Sequence, residues 1–206
     1  MFISFEGLDF SGKSTQVELL KKYFESRGED VLLIREPGGT SISEKIREIL
    51  LDKKNSRMHI ETELLLFSAS RAQLVNEVIL PALNEGKIVI SDRFHDSSIA
   101  YQSYGRGISL EFVMNLQNYI IRNVVPALTF FIDVDIKEMF NRKNGILPID
   151  LDRIELSDEQ FYNKVRNGYL EIAKKEERFI LINGTDSIEA IHNFILNKVL
   201  NYETTI

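Results

Sequence analysis

The stretch Gly7-Leu8-Asp9-Phe10-Ser11-Gly12-Lys13-Ser14-Thr15 matches G-x-x-x-x-G-K-[ST] at every fixed position, and such a loop constrains the fold because it works only between a strand and a helix. Its glycines let backbone N–H groups curl around phosphate oxygens. Lys13 brings a point charge to the outer phosphates, and the Ser14 hydroxyl can complete the oxygen shell of Mg²⁺. The flanks agree: residues 2–5 form an apolar, aromatic-rich run suited to a buried strand, and Val17, Leu19, Leu20 and Phe24 recur at helical spacing after the loop. The helix N-terminus adds its own pull on anions. The expected ligand is a nucleoside triphosphate held by residues 7–15.

Apolar strand-like runs recur at 2–5, 31–34, 88–90, 128–132 and 179–182, separated by amphipathic segments at 14–27, 43–51, 60–84, 110–124, 158–175 and 188–200. The alternation predicts an α/β, three-layer P-loop NTPase fold: a five-stranded parallel sheet flanked by helices on both faces, in one domain over 1–206. Open parallel sheets bind ligands beyond the carboxyl ends of their strands. Distinctive residues fall there: Glu6 and the phosphate loop, Arg35-Glu36-Pro37-Gly38-Gly39-Thr40, Ser91-Asp92-Arg93, and Asp133 followed by a helix leading to Arg142. Four strand ends are expected to converge on one cleft. Ser41 or Ser43 is the expected cap of the helix after the Pro37-Gly38-Gly39 turn. Gly145 and Pro148 break the helical pattern after Arg142, so a mobile lid is expected over about 142–153.

The formal net charge of −6 disfavours wrapping a nucleic-acid backbone and suits a local phosphate pocket. Without cysteine there is no disulfide, thiolate metal site or nucleophilic thiol. The N-terminal apolar run is too short for a signal peptide, and no stretch approaches a membrane span, so a soluble, cytoplasmic protein is expected. His59, His95 and His192 lack ligand spacing.

No guanine-reading motif follows a late strand, and the strand ending at Asp92 continues into a cation, Arg93, rather than the acid a mechanical ATPase uses. Arg35, Arg71, Arg93, Arg142 and Arg153 surround one phosphate pocket, which suggests two phosphorylated substrates.

The residues then carry a resemblance. Phe5-Glu6-Gly7-Leu8-Asp9 with the phosphate loop, Arg35 to Thr40, Leu65-Leu66-Phe67-Ser68-Ala69-Ser70-Arg71-Ala72-Gln73, Asp92 to Gln102, and Asp152-Arg153-Ile154-Glu155 together resemble the thymidylate kinases over nearly the whole chain. The resemblance implies transfer of the γ-phosphoryl of ATP to dTMP, with Mg²⁺ held by Ser14 and Asp92. It implies that Phe67 stacks on thymine and Arg71 donates to its O4, which agrees with their i, i+4 spacing on one helix face. By the same resemblance Arg93 grips the acceptor phosphate and Tyr101 sits against the 2′ position. Ser98 and Gln102 lie near the base or sugar, Asp9 near the sugar or metal, and Glu36, Pro37 and Gly38 shape the acceptor side. Family members are usually homodimers, and the segments 60–84 or 110–124 could supply that interface.

Two departures matter. Phe10 leaves the phosphate loop uncharged, and the lid offers only Arg142, Lys143 and Arg153 around an apolar insertion. Lys13, Arg93, Arg142 and Arg153 are the catalytic candidates, Arg142 being first for the transition state. Phe94 stands where the family often has tyrosine. Two alternatives are a deoxynucleoside kinase using Glu6 or Glu36 as base, and an ATP-gated interaction module signalling through 142–153.

Overall fold

The structure is a computed structural model that describes residues 1–144, 147 and 151–204; the middle of the expected lid lies outside the described residues. Five parallel strands, β1 (Phe2–Glu6), β2 (Val31–Arg35), β3 (Ile88–Asp92), β4 (Leu128–Asp133) and β5 (Phe179–Asn183), pair in the order β2-β3-β1-β4-β5. The strand alternation sorts side chains cleanly. Ile3, Phe5, Ile88, Ile90, Phe130 and Ile132 pack with Val17, Leu20 and Phe24 of α1 (Lys13–Ser26) and with Ile191, Ile195 and Val199 of the C-terminal helix. The opposite face carries Phe2, Val89 and Phe131 toward the remaining helices, with Ser4 and Thr129 hydrogen-bonded at 2.8 Å between strands. Glu6 falls on this second face. Registers of Phe5 with Asp92 and of Arg35 with Asp92 bring three strand ends to one level.

Helix α2 (Ser41–Leu51) is capped by neither expected serine. Thr40 takes the Ser43 N–H at 3.0 Å, because the turn places its hydroxyl, rather than a later one, over the free amides. Ser43 instead donates to Ser70 O at 2.9 Å, tying α2 to α3 (Ile60–Leu74). The expected single helix over 60–84 passes from α3 through a π-helical turn, Val75–Ile79, into α4 (Leu80–Asn84), which has Pro81 in its first turn. Sequence reading assigns no helix to 95–105. There α5 (His95–Ser98) runs into a π-helical segment, Ile99–Gly105. Its consecutive buried residues Ile99 to Ser103 follow no 3.6-residue period, and π-turns of this kind favour functional sites.

The chain closes with α6 (Leu110–Ile121), α7 (Ile136–Lys143), α8 (Glu159–Ala173) and α9 (Ile188–Glu203). No described helix is long and apolar enough to cross a membrane.

Candidate active site

Beyond the strand ends lies a cavity of about 590 Å³, walled on one side by the phosphate loop and on the other by residues of α2, α3, the π-helical segment and the turn at 152–155. The loop's shape follows from its glycines. At Gly7 (φ 143°) a Cβ would come within 2.5 Å of Ile132 O, and Gly12 (φ 97°) is the left-handed cap of α1. Phe10 also adopts a left-handed conformation, φ 62°. Lys13 Nζ donates to Leu8 O at 2.8 Å, and burial together with Arg93 pushes its ammonium down to about 8. Ser14 Oγ donates to Asp92 Oδ2 at 2.8 Å, placing two hard oxygen donors together. Gly7 and Leu8 stand behind the cavity wall, while Asp9 to Thr15 form it.

The fourth strand end does not join the cleft as expected. Asp133 is occupied by Arg166 at 2.7 and 2.8 Å. Arg142 sits on α7, where it pairs with Glu138 and donates to Phe10 O (3.3 Å), Ser11 O (3.2 Å) and Gly184 O (2.9 Å), so it braces the phosphate loop from outside the cavity. Arg153 is likewise off the wall: its Nε donates to Leu50 O at 2.8 Å and its Nη1 lies 2.8 Å from Glu63 Oε2. Asp152, Ile154 and Glu155 line the cavity instead.

Arg93 follows β3 at φ 72°, its N–H bonded to Phe5 O at 2.9 Å. Its guanidinium donates to Asp9 Oδ1 (2.5 Å), Tyr101 (3.2 Å), Tyr169 (3.2 Å) and Gly7 O (2.9 Å). Burial opposes the Asp9 charge, but Arg93 and Lys13 hold its carboxyl below the usual range. Behind Arg93, the fully buried Glu6 accepts from Phe94 N (2.8 Å), Ser97 Oγ (2.6 Å) and Tyr169 OH (2.8 Å). Burial and Asp96, against the pull of Arg93, push Glu6 up to about 7.

Phe67 and Arg71 share the facing wall with Ser98, Tyr101 and Gln102. Arg71 is buried, and its five N–H groups meet Glu36, Ser98 (2.8 Å), Gln117 (2.6 Å) and Phe94 O (3.1 Å), Glu36 being approached by both Nε and Nη2. Burial raises the Glu36 carboxyl against the opposing effect of Arg71. Pro37, Glu36 and Arg35 complete this side.

Sequence reading overlooked four participants. Arg47 of α2 donates to Pro37 O at 2.8 Å and lines the cavity; nothing in its amphipathic helix singled it out. Tyr162 and Tyr169 of α8, seven residues apart and so on one face, reach Asp9 (3.2 Å) and Glu6 (2.8 Å), a signal that was available. Glu63 is 2% exposed and gathers Gln102, Arg106 and Arg153. Among the described residues no group of three or more His, Cys, Asp or Glu could hold a metal.

The family model described as Thymidylate kinase matches residues 5–195. The chain belongs to the thymidylate kinase family. It is similar to the thymidylate kinase of Kosmotoga olearia, 49% identical over 201 residues that cover 97% of this chain and 95% of the relative. It is 50% identical to the Thermosipho africanus thymidylate kinase over 191 residues, 93% of each. The crystal structure of thymidylate kinase from Ehrlichia chaffeensis superposes with a TM-score of 0.77 at 39% identity, covering 97% of this chain and 98% of that one. The family's α/β fold is thus the one observed here, and the cavity wall carries the segments by which the sequence resembles it.

Proposed function

We infer that the protein is an ATP-dependent kinase that transfers the γ-phosphoryl of ATP to dTMP, giving dTDP and ADP. One observation carries the reading: the phosphate loop and a guanidinium, Arg93, bonded to that loop at Gly7 O and Asp9, face one cavity that also carries Phe67, Arg71, Tyr101 and Gln102 and is large enough for two facing nucleotide ends. The acceptor is a phosphate monoester with a second pKa near about 6, so its oxygen is ionised at neutral pH and needs no strong base. Alignment and charge neutralisation are then the catalytic task.

In this reading residues 7–15 cradle the donor phosphates and Lys13 follows the transferring group. Arg93, released from part of its Asp9 and Tyr101 bonding, takes the acceptor phosphate. Phe67 stacks on thymine. Arg71 reaches O4 by giving up the Ser98 hydroxyl, which can donate as readily as accept. Tyr101 lies against the 2′ position. Arg142 acts through the loop it braces, holding Phe10 and Ser11 in place. A direct transition-state contact from Arg153 would require it to leave Glu63. Ser14 and Asp92 suit Mg²⁺, a hard cation that keeps few protein ligands, and when bound it would neutralise charge on the donor oxygens. The proposal includes one domain with a lid over about 142–153, a cytoplasmic location, and a homodimer. The last is supported by exposed Ile42 and Ile49 on α2, Leu65 on α3, and Phe112, Met114 and Tyr119 on α6.

A deoxynucleoside kinase would need a free carboxylate base. Glu6 is sealed under three donors, which removes it as that base, and Glu36 has one oxygen committed to Arg71. A coupled assay with ATP and dTMP, dUMP, dCMP, AMP or thymidine tests the reading: dTMP is the expected best acceptor, and activity on thymidine alone would overturn it.

A further inference from the structure

Gln102 is almost wholly buried and lines the cavity beside Phe67 and Arg71. Its Nε2 donates to Glu63 Oε1 at 3.0 Å. The chemistry of the partner dictates that orientation: a carboxylate only accepts, so the carboxamide turns its nitrogen to Glu63 and its oxygen elsewhere. No hydrogen bond among the described residues engages that oxygen.

Glu63 cannot swing away. Arg106 donates to it from Nε at 3.0 Å and Nη2 at 3.2 Å, and Arg153 Nη1 lies at 2.8 Å from its second oxygen. Arg106 is itself fixed, stacked 4.1 Å over the Phe161 ring. Burial works against the charge, yet Arg106, Gln102 and Arg153 hold the Glu63 carboxyl below its usual range, so it is ionised at neutral pH.

We propose that Glu63 determines nucleobase specificity: by taking the Gln102 amide nitrogen it fixes Gln102 Oε1 toward the cavity as the acceptor for the N3–H of thymine. The inference rests on the thymidylate reading above. Thymine and uracil carry a proton at N3, whereas cytosine carries a lone pair there, so a fixed acceptor favours the first two and opposes the third. An amide free to turn would accept either. Glu63 touches no substrate in this account and is a positioning residue that acts through Gln102.

The test is Glu63→Gln in the full chain, which is nearly isosteric but can donate as well as accept. Its kcat/KM ratio for dTMP over dCMP is expected to fall about 10-fold or more, while the ratio for dTMP over dUMP stays within about twofold. Glu63→Asp, which keeps the carboxylate, is expected to retain most of the dTMP over dCMP preference. A purely structural role would depress all acceptors together, so an unchanged dTMP over dCMP ratio in folded Glu63→Gln would overturn the proposal. Should neither variant fold, the natural enzyme decides with 3-deaza-dTMP, whose C–H replaces the N3–H at nearly the same size but cannot donate: a loss of about 10-fold or more against dTMP supports a fixed acceptor, and equal use overturns it. If the natural enzyme fails on dTMP itself, the thymidylate reading falls, an outcome distinct from an active enzyme whose variant still rejects dCMP.

Discussion

On the side proposed to hold ATP, the donor wall, residues 9–15 line the cavity as one continuous stretch shaped by Gly7 and Gly12. The acceptor wall draws Arg93 from the end of β3, Phe67 and Arg71 from α3, Tyr101 and Gln102 from the π-helical segment, and Glu36 from beyond β2. Peptide amides keep no charge to neutralise and need little support. Buried guanidinium groups need acceptors: Asp9, from the phosphate loop itself, answers Arg93, and Glu36 answers Arg71. A contiguous site is thus tuned by turn geometry, while a dispersed one is tuned by a second layer of side chains.

The contrast can be broken most directly at its charged ends. Lys13→Ala is expected to lower kcat about 10³-fold with little change in dTMP affinity, because the lost charge follows the moving phosphoryl group; steady-state kinetics with both substrates varied would expose a fall confined to KM instead. Arg93→Lys keeps the charge but loses the planar fork, so kcat/KM for dTMP is expected to drop about 10²-fold while ATP binding, followed by titration calorimetry, is preserved. Equal losses for both nucleotides would dissolve the division between the walls.

Arg142→Ala sharpens it further, because this side chain touches the donor wall only through carbonyls of Phe10 and Ser11. Its kcat is expected to fall about 10-fold with KM for dTMP unchanged. An unaltered kcat would remove it from the mechanism.

The smallest expected effect is on stability and belongs to the support behind the acceptor wall. Burial, opposed by Asp96 and helped by Arg178 and Arg71, pushes the His95 imidazole down to about 4. The unfolded chain binds that proton near about 6.5, so the His95 contribution is complete above that pH and is lost as pH falls toward 4. Glu6 has the opposite sign: held near 7 when folded, it takes a proton that the unfolded chain refuses until about 4.5, so its contribution grows as pH falls through that window. In melting curves at pH 7 and pH 5, His95→Gln is expected to reduce the acid loss of Tm by about 2–4 °C relative to the natural protein. A larger acid loss in the variant would contradict the assignment.

The donor wall was legible from residue order because a phosphate loop is local: its pattern lies within one turn, and the strand and helix beside it have clear periods. The parallel sheet was legible for the same reason, with each strand an apolar run between amphipathic helices. The acceptor wall was only partly so. Phe67 and Arg71 could be paired by spacing, whereas Glu63 and Arg47 lay in ordinary helical text, and the π-helical segment had no period to read. Arg142 and Arg153 were noticed as basic residues, but their directions depend on partners 131 and 103 positions away, Ser11 and Leu50.

By itself, residue order determined that this chain is a parallel α/β protein with a glycine-bounded loop between its first strand and first helix, since both follow from short-range periodicity and glycine placement. Only the tertiary structure decided which carboxylate answers which arginine. Buried charges select partners by proximity in space, and the strand order β2-β3-β1-β4-β5 brings together groups far apart in the chain.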